Sequence, residues 1–219
     1  MRIISELSLR IHILRYRIWL RRTLPAAAIN RVKIAESGEP MVNIRGCRDL
    51  FLADELMSRE TVCVRRGVYE RLVVAARALP AGYGLKIMSA HRPIAEQAAL
   101  WDKQMERTRR ENPTASPDLL IQINRRLVAQ PHHGFGGHQT GGAVDVTLCD
   151  ENGVDMGLGK WLGPVRGDAD VRRLRRVLRR AMCAAGFVNY PAEWWHFCYG
   201  DRMWAAYTRH AQCPYGLIE

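Results

Sequence analysis

Residues 134–148 read GFGGHQTGGAVDVTL, and the fold and chemistry of the whole chain turn on how they are read. Glycine weakens regular structure, so this many glycines before a short apolar strand call for a backbone shape that packing alone does not need. Along AVDVTL (143–148) side chains alternate. Ala143, Asp145 and Thr147 share one face, while Val144, Val146 and Leu148 share the other. Asp145 therefore points away from the valine face, where a lone carboxylate would be costly to bury. Gly141 and Gly142 let the loop turn His138 back over the strand end, beside Asp145. A catalytic zinc site takes three protein ligands and keeps one position open, and this stretch offers two candidates.

A third ligand and a proton acceptor are found together downstream, in EWWHF (193–197), as His196 and Glu193. A carboxylate placed beside a metal can take the proton of a water that the metal has made more acidic. Trp194 and Trp195 supply bulk to exclude water and hold the two groups rigidly. No H-E-x-x-H is present, which excludes a thermolysin-type site. Each element alone is ordinary: a histidine beside glycines is usually a loop residue, and EWWH alone could be a core aromatic cluster. Their combination in this order is far more specific.

The pattern H-x-x-G-x-A-x-D, filled by His138, Gly141, Ala143 and Asp145 and followed by E-W-W-H, resembles the D-alanyl-D-alanine dipeptidase family. These are zinc peptidases related to the D,D-carboxypeptidases and sharing a fold with the hedgehog signalling domain. The similarity runs from GEPMVNIR (38–45) to YGDRMWA (199–205) and includes SAHRP (89–93), where the family places an arginine, here Arg92. The resemblance implies one Zn2+ per chain, bound by His138, Asp145 and His196. It implies Glu193 as general base and acid, and Arg92 as the group that stabilises the oxyanion. Two positions depart from the family pattern. Gly136 stands where the family has serine. Lys160 and Trp161 stand where an acidic residue engages the substrate's free amine, and a lysine there would repel an ammonium. Asp150, Glu151 and Asp155 are candidates to replace that acid.

The bulk numbers set the frame. With 219 residues and 47% hydrophobic content, the chain suits one domain with a substantial core and a terminal extension. We expect a basic N-terminal extension over 1–36, ending at AESGEP (35–40), and a zinc D,D-peptidase domain over 37–219. In the extension Ile3, Leu7, Ile11, Leu14 and Ile18 fall at helical spacing, but the arginines among them make a poor transmembrane helix or signal peptide. A basic amphipathic helix on an acidic membrane surface fits that pattern, as does an ordinary docked helix. Cys47, Cys63, Cys149, Cys183, Cys198 and Cys213 form no C-x-x-C pair and read as reduced thiols, which favours a cytoplasmic setting. The net charge of +11 is read as solvated helix faces, and no nucleic-acid partner is expected because no recognition motif accompanies it. No oligomeric state follows from the sequence.

Helices and strands alternate irregularly, which predicts an α+β fold: a small central antiparallel sheet flanked by helices, with the zinc in its cleft. Helices are expected over 67–79, from Pro93 to about Arg110, after a Ser116–Pro117 cap, and over 171–186. Leu120, Ile123 and Leu127 should face inward. The expected activity is hydrolysis of D-alanyl-D-alanine or a similar peptidoglycan-derived dipeptide. The alternatives are a D,D- or L,D-carboxypeptidase trimming peptidoglycan peptides, and a non-catalytic binding module.

Overall fold

The computed structural model describes residues 23–125, 127–131, 137–159 and 168–218, and any absence stated below is among these residues. The chain enters through α1 (Ala26–Asn30), β1 (Lys33–Ile34) and β2 (Met41–Asn43). Then come β3 (Leu50–Leu52), α2 (Asp54–Met57), β4 (Cys63–Arg65), α3 (Arg66–Arg77) and β5 (Gly84–Ser89). The helices α4 (Ile94–Glu111) and α5 (Pro117–Asn124) precede a single 3-10 turn, His138–Thr140, which runs into β6 (Ala143–Cys149). The chain closes with α6 (Ala169–Ala184), β7 (Val188–Asn189), β8 (His196–Cys198), α7 (Arg202–Thr208) and β9 (Gln212–Cys213).

The expected α+β architecture is present. Its centre is a five-stranded sheet in the order β3-β5-β6-β8-β7, with β6 in the middle. β5, β8 and β7 join by antiparallel pairing, as expected, while β3 adds a parallel edge to β5. That edge is parallel because the chain between the two strands makes a long crossover through α2, β4 and α3.

Alternation along β6 works as its sequence implies. Val144, Val146 and Leu148 pack into one core cluster with Val68, Leu72 and Ala75 of α3 and Leu174, Leu178 and Met182 of α6. Ala143 belongs to a second cluster, with Ile29, Cys198 and Met203. Phe197 is fully buried in the main cluster, and burying a phenylalanine contributes about 1.5–3 kcal/mol, which anchors β8 and the histidine that precedes it.

Three helix termini form where the sequence marks them. The Ser116 hydroxyl accepts from the Leu119 amide with Pro117 at the first helical position, and Asp168 Oδ1 accepts from the amides of Asp170 and Val171. Gly186, just past the end of α6, takes the left-handed conformation at φ +94°. Pro93 sits one residue outside α4 as its cap, at extended φ and ψ, rather than in its first turn.

Two expectations need correction. Leu127 does not face inward: it keeps 45% of its surface exposed, because α5 ends at Asn124. Asn124 takes the buried position, bonded to the Thr108 hydroxyl and the Trp101 carbonyl. The boundary at residue 36 does not coincide with a break in packing. Ile29 is 1% exposed, the Leu24 amide donates to the Tyr207 hydroxyl, and β1 pairs in parallel with β9. Residues 1–22, which carry the amphipathic arginine pattern, lie outside the described residues. No described helix is long and apolar enough to cross a membrane.

Candidate active site

The sheet register assembles the site. Asp145 stands directly opposite His196 across β6–β8 and opposite Ser89 across β5–β6, so the three form one row. A register shift between Ile87 and Ser89 marks a bulge at the end of β5, a feature that re-aims side chains.

His138 reaches the same row from the 3-10 turn. Gly141 ends that turn at φ +69°, a left-handed conformation that a side chain would strain. At Gly142 a Cβ would come within 2.8 Å of the Tyr199 carbonyl oxygen and 2.9 Å of the Thr140 hydroxyl, so only glycine lets the turn meet the strand. β4 braces the turn from outside: the Arg65 guanidinium donates to the Thr140 carbonyl at 2.9 Å, and the Arg65 amide donates to the Gly141 carbonyl at 3.0 Å.

His138 Nε2 lies 3.3 Å and His196 Nδ1 3.0 Å from Asp145 Oδ1. The three candidate donor atoms all lie within 4.8 Å of one another. His138 Nδ1 is 2.9 Å from the Ala90 carbonyl oxygen, which can only accept, so Nδ1 is the donor there and Nε2 is the nitrogen turned toward the metal-ligand candidates. Two imidazole nitrogens and one carboxylate oxygen are the donor set that zinc takes when a fourth position stays open. The residues fit the ion.

Charges around this set are strongly coupled. Burial alone would raise the Asp145 carboxyl, yet the two histidines outweigh it and hold the group far below the ordinary carboxylate range. Burial lowers His196, but the hydrogen bond and charge of Asp145, with Glu193 and Asp201 behind them, raise it to about 8 in the metal-free protein. A metal must therefore displace a proton from His196 to bind.

Glu193 lies 3.9 Å from His196 Nδ1 through its Oε2 and keeps 32% of its side-chain surface. Burial of the carboxyl raises its proton affinity above the usual range, and Asp145 adds to this; His196, His138 and Arg92 pull the other way. That balance suits a group that must both take and return a proton. Arg92 is within electrostatic reach of Glu193, and its amide donates to the His138 carbonyl at 3.1 Å. Its guanidinium is held at 2.9 Å by Gln97 and at 2.8 Å by the Ser89 hydroxyl. All five residues singled out from the sequence thus meet around one row of the sheet.

Sequence reasoning missed the supports. Gln97 is buried and also donates to the Ala129 carbonyl, so it ties Arg92 to the chain beyond α5. It lies four residues beyond Pro93 on a helix whose start was legible, but nothing in its type marks it. His91, next to Arg92 in the sequence, turns its Nε2 into a buried spot without a hydrogen-bond partner among the described residues. Asp201 is fully buried, caps α7 through the Trp204 amide at 2.7 Å, and adds a negative charge felt by His196. An aspartate just before an apolar helical run was the readable signal there. Cys198 is a buried small residue whose thiol is pushed well above its ordinary value by burial, so it is not a poised thiolate. All six cysteines are free. Gly136, Lys160, Trp161, His132 and His133 lie outside the described residues. Of the candidate substitutes for the missing acid, Asp150 and Asp155 accept backbone amides in turns beyond the end of β6, and Glu151 is exposed.

The model of the peptidase M15 family, D-ala-D-ala dipeptidase, matches residues 47–214. The chain belongs to the D-Ala-D-Ala dipeptidase family. The match spans every residue of the row described above, from Ser89 to His196. The chain is 28% identical to the D-alanyl-D-alanine dipeptidase of Synechocystis sp. (strain ATCC 27184 / PCC 6803 / Kazusa), over 80% of this chain and 87% of that one. It is 32% identical to the D-alanyl-D-alanine dipeptidase of Escherichia coli (strain K12), over 53% and 55%, and 29% identical to that of Streptomyces coelicolor (strain ATCC BAA-471 / A3(2) / M145), over 68% and 76%. Among solved structures, VanYB in complex with D-Alanine-D-Alanine superposes with a TM-score of 0.46 at 13% identity, over 84% of this chain and 94% of that one. Membership in the D-Ala-D-Ala dipeptidase family makes this chain a zinc metallopeptidase, and the His-Asp-His set is where its ion fits.

Proposed function

We propose that the protein hydrolyses D-alanyl-D-alanine or a closely similar dipeptide, with His138, Asp145 and His196 holding one zinc ion. One observation carries the reading: the sheet register sets Asp145 opposite His196, with Glu193 3.9 Å from the same imidazole and Arg92 bonded to Ser89, which stands opposite Asp145 on the other side. The names of the relatives support the substrate. When bound, zinc supplies Lewis acidity, which makes a water easier to deprotonate and a carbonyl easier to attack.

The chain's own residues do the rest. Glu193 accepts the proton of the attacking water and returns it to the departing amine. The Arg92 guanidinium, fixed by Gln97 and Ser89, holds the negative charge that develops on the carbonyl oxygen. Preorganised support matters because such donors act only if they need not reorganise during the reaction.

Free D-alanyl-D-alanine and its N-acylated form, offered in parallel to zinc-loaded protein, test the substrate. Amine release from the free dipeptide alone is the expected outcome, and it means that a group other than the family's acid accommodates the ammonium. Release from the blocked peptide alone would overturn the dipeptidase reading in favour of a carboxypeptidase.

A further inference from the structure

We propose that Asn189 is a positioning residue that clamps the Glu193–His196 turn and thereby sets the spacing between proton acceptor and third ligand; the inference rests on the zinc peptidase reading above. Asn189 ends β7, directly opposite Phe197 in β8. Its side-chain Nδ2 reaches back across the turn. It donates to the carbonyls of Glu193 at 2.9 Å and His196 at 3.0 Å, with that of Trp194 at 3.4 Å. All three acceptors belong to the segment that carries the chemistry.

The orientation of the amide follows from chemistry. Carbonyl oxygens only accept, so the amide NH2, not its oxygen, must face them. Its two hydrogens match the two short contacts. The backbone closes the turn with the His196 amide donating to the Glu193 carbonyl at 3.3 Å, the Glu193 amide donating to the Tyr190 carbonyl at 3.0 Å, and the Tyr190 amide donating to the His196 carbonyl at 3.0 Å. The carboxamide joins the first and last carbonyls of the turn directly, and the one backbone bond that spans the same two residues, His196 to Glu193, is the longest of the three.

A displacement of about 1 Å in a catalytic group can cost roughly 10²-fold in rate, and losing an outer-shell support typically costs about 10–100-fold in metal affinity or activity. Asn189 holds backbone rather than substrate, so its loss should act on kcat and zinc affinity and spare KM.

The test compares wild type with Asn189→Ala and Asn189→Ser, the serine keeping one donor if the alanine fails to fold. Zinc affinity is read by competition with a chromophoric chelator, and kcat and KM are read with D-alanyl-D-alanine on zinc-saturated protein. Zinc affinity weaker by about 10-fold or more, with kcat lowered and KM held within about 2-fold, is the expected result. Unchanged zinc affinity and unchanged kcat per zinc-loaded molecule would overturn the proposal, even if the melting temperature fell. If wild type itself left the dipeptide intact, the substrate reading would fail while the chelator measurement still decided the clamp.

Discussion

Glu193→Ala is expected to bind zinc as wild type does and to lose turnover by about 10²–10⁴-fold, the usual worth of a positioned acid–base group, or about 3–5 kcal/mol of barrier. The separation of binding from turnover follows from geometry. Glu193 stands 3.9 Å from His196 and outside the donor set formed by His138, Asp145 and His196. Removing its carboxylate leaves every ligand in place. It also removes a charge that helps raise His196, so the ligand should give up its proton to zinc at least as readily. Glu193→Gln preserves the shape and should fail equally, because an amide cannot take the proton. The measurement is zinc content by metal analysis beside kcat on the free dipeptide. Zinc-replete Glu193→Ala with wild-type turnover would sink the mechanism.

His196→Ala should lose both zinc and turnover. Removing this ring takes one of three ligands, and it strips the closest hydrogen-bonded partner from Asp145, whose carboxylate depends on the two histidines to stay ionised while buried. Zinc should raise the melting temperature of wild type, since an ion that binds only the folded state stabilises by about 2.7 kcal/mol at 100 times its Kd. That shift should vanish in His196→Ala. The readouts are zinc stoichiometry and the zinc-dependent shift in thermal unfolding. A variant that still bound one zinc tightly and unfolded later for it would show that His196 is not a ligand.

The candidate site was legible because its residues carry their chemistry in local patterns. Glycines beside His138, alternation around Asp145, and Glu193 and His196 three apart could each be read within a few residues. The helix start at Ser116 was legible for the same reason, because a cap is a local bond between a side chain and the next turn. What was not legible depends on partners distant in the chain. The Ser89–Asp145–His196 row exists only once β5, β6 and β8 have paired. Gln97 acts through Arg92 and the far end of the helical pair, and no spacing rule marks it. Leu127 was misread because helical periodicity was carried past Asn124, where α5 ends and whose buried amide bonds α5 to α4. Ile29 was assigned to an extension because AESGEP (35–40) reads as a break in the chain, whereas Ile29 is buried on the near side of it.

The zinc K-edge absorption spectrum of the wild-type protein tests the central claim most directly, because it reads the ligands without reference to substrate. The account predicts one zinc per chain in a shell of nitrogen and oxygen at about 2.0–2.2 Å, with the outer scattering of two imidazoles and no sulfur. A zinc–sulfur distance of about 2.3 Å, or the signature of a single imidazole, would contradict a centre built from His138, Asp145 and His196.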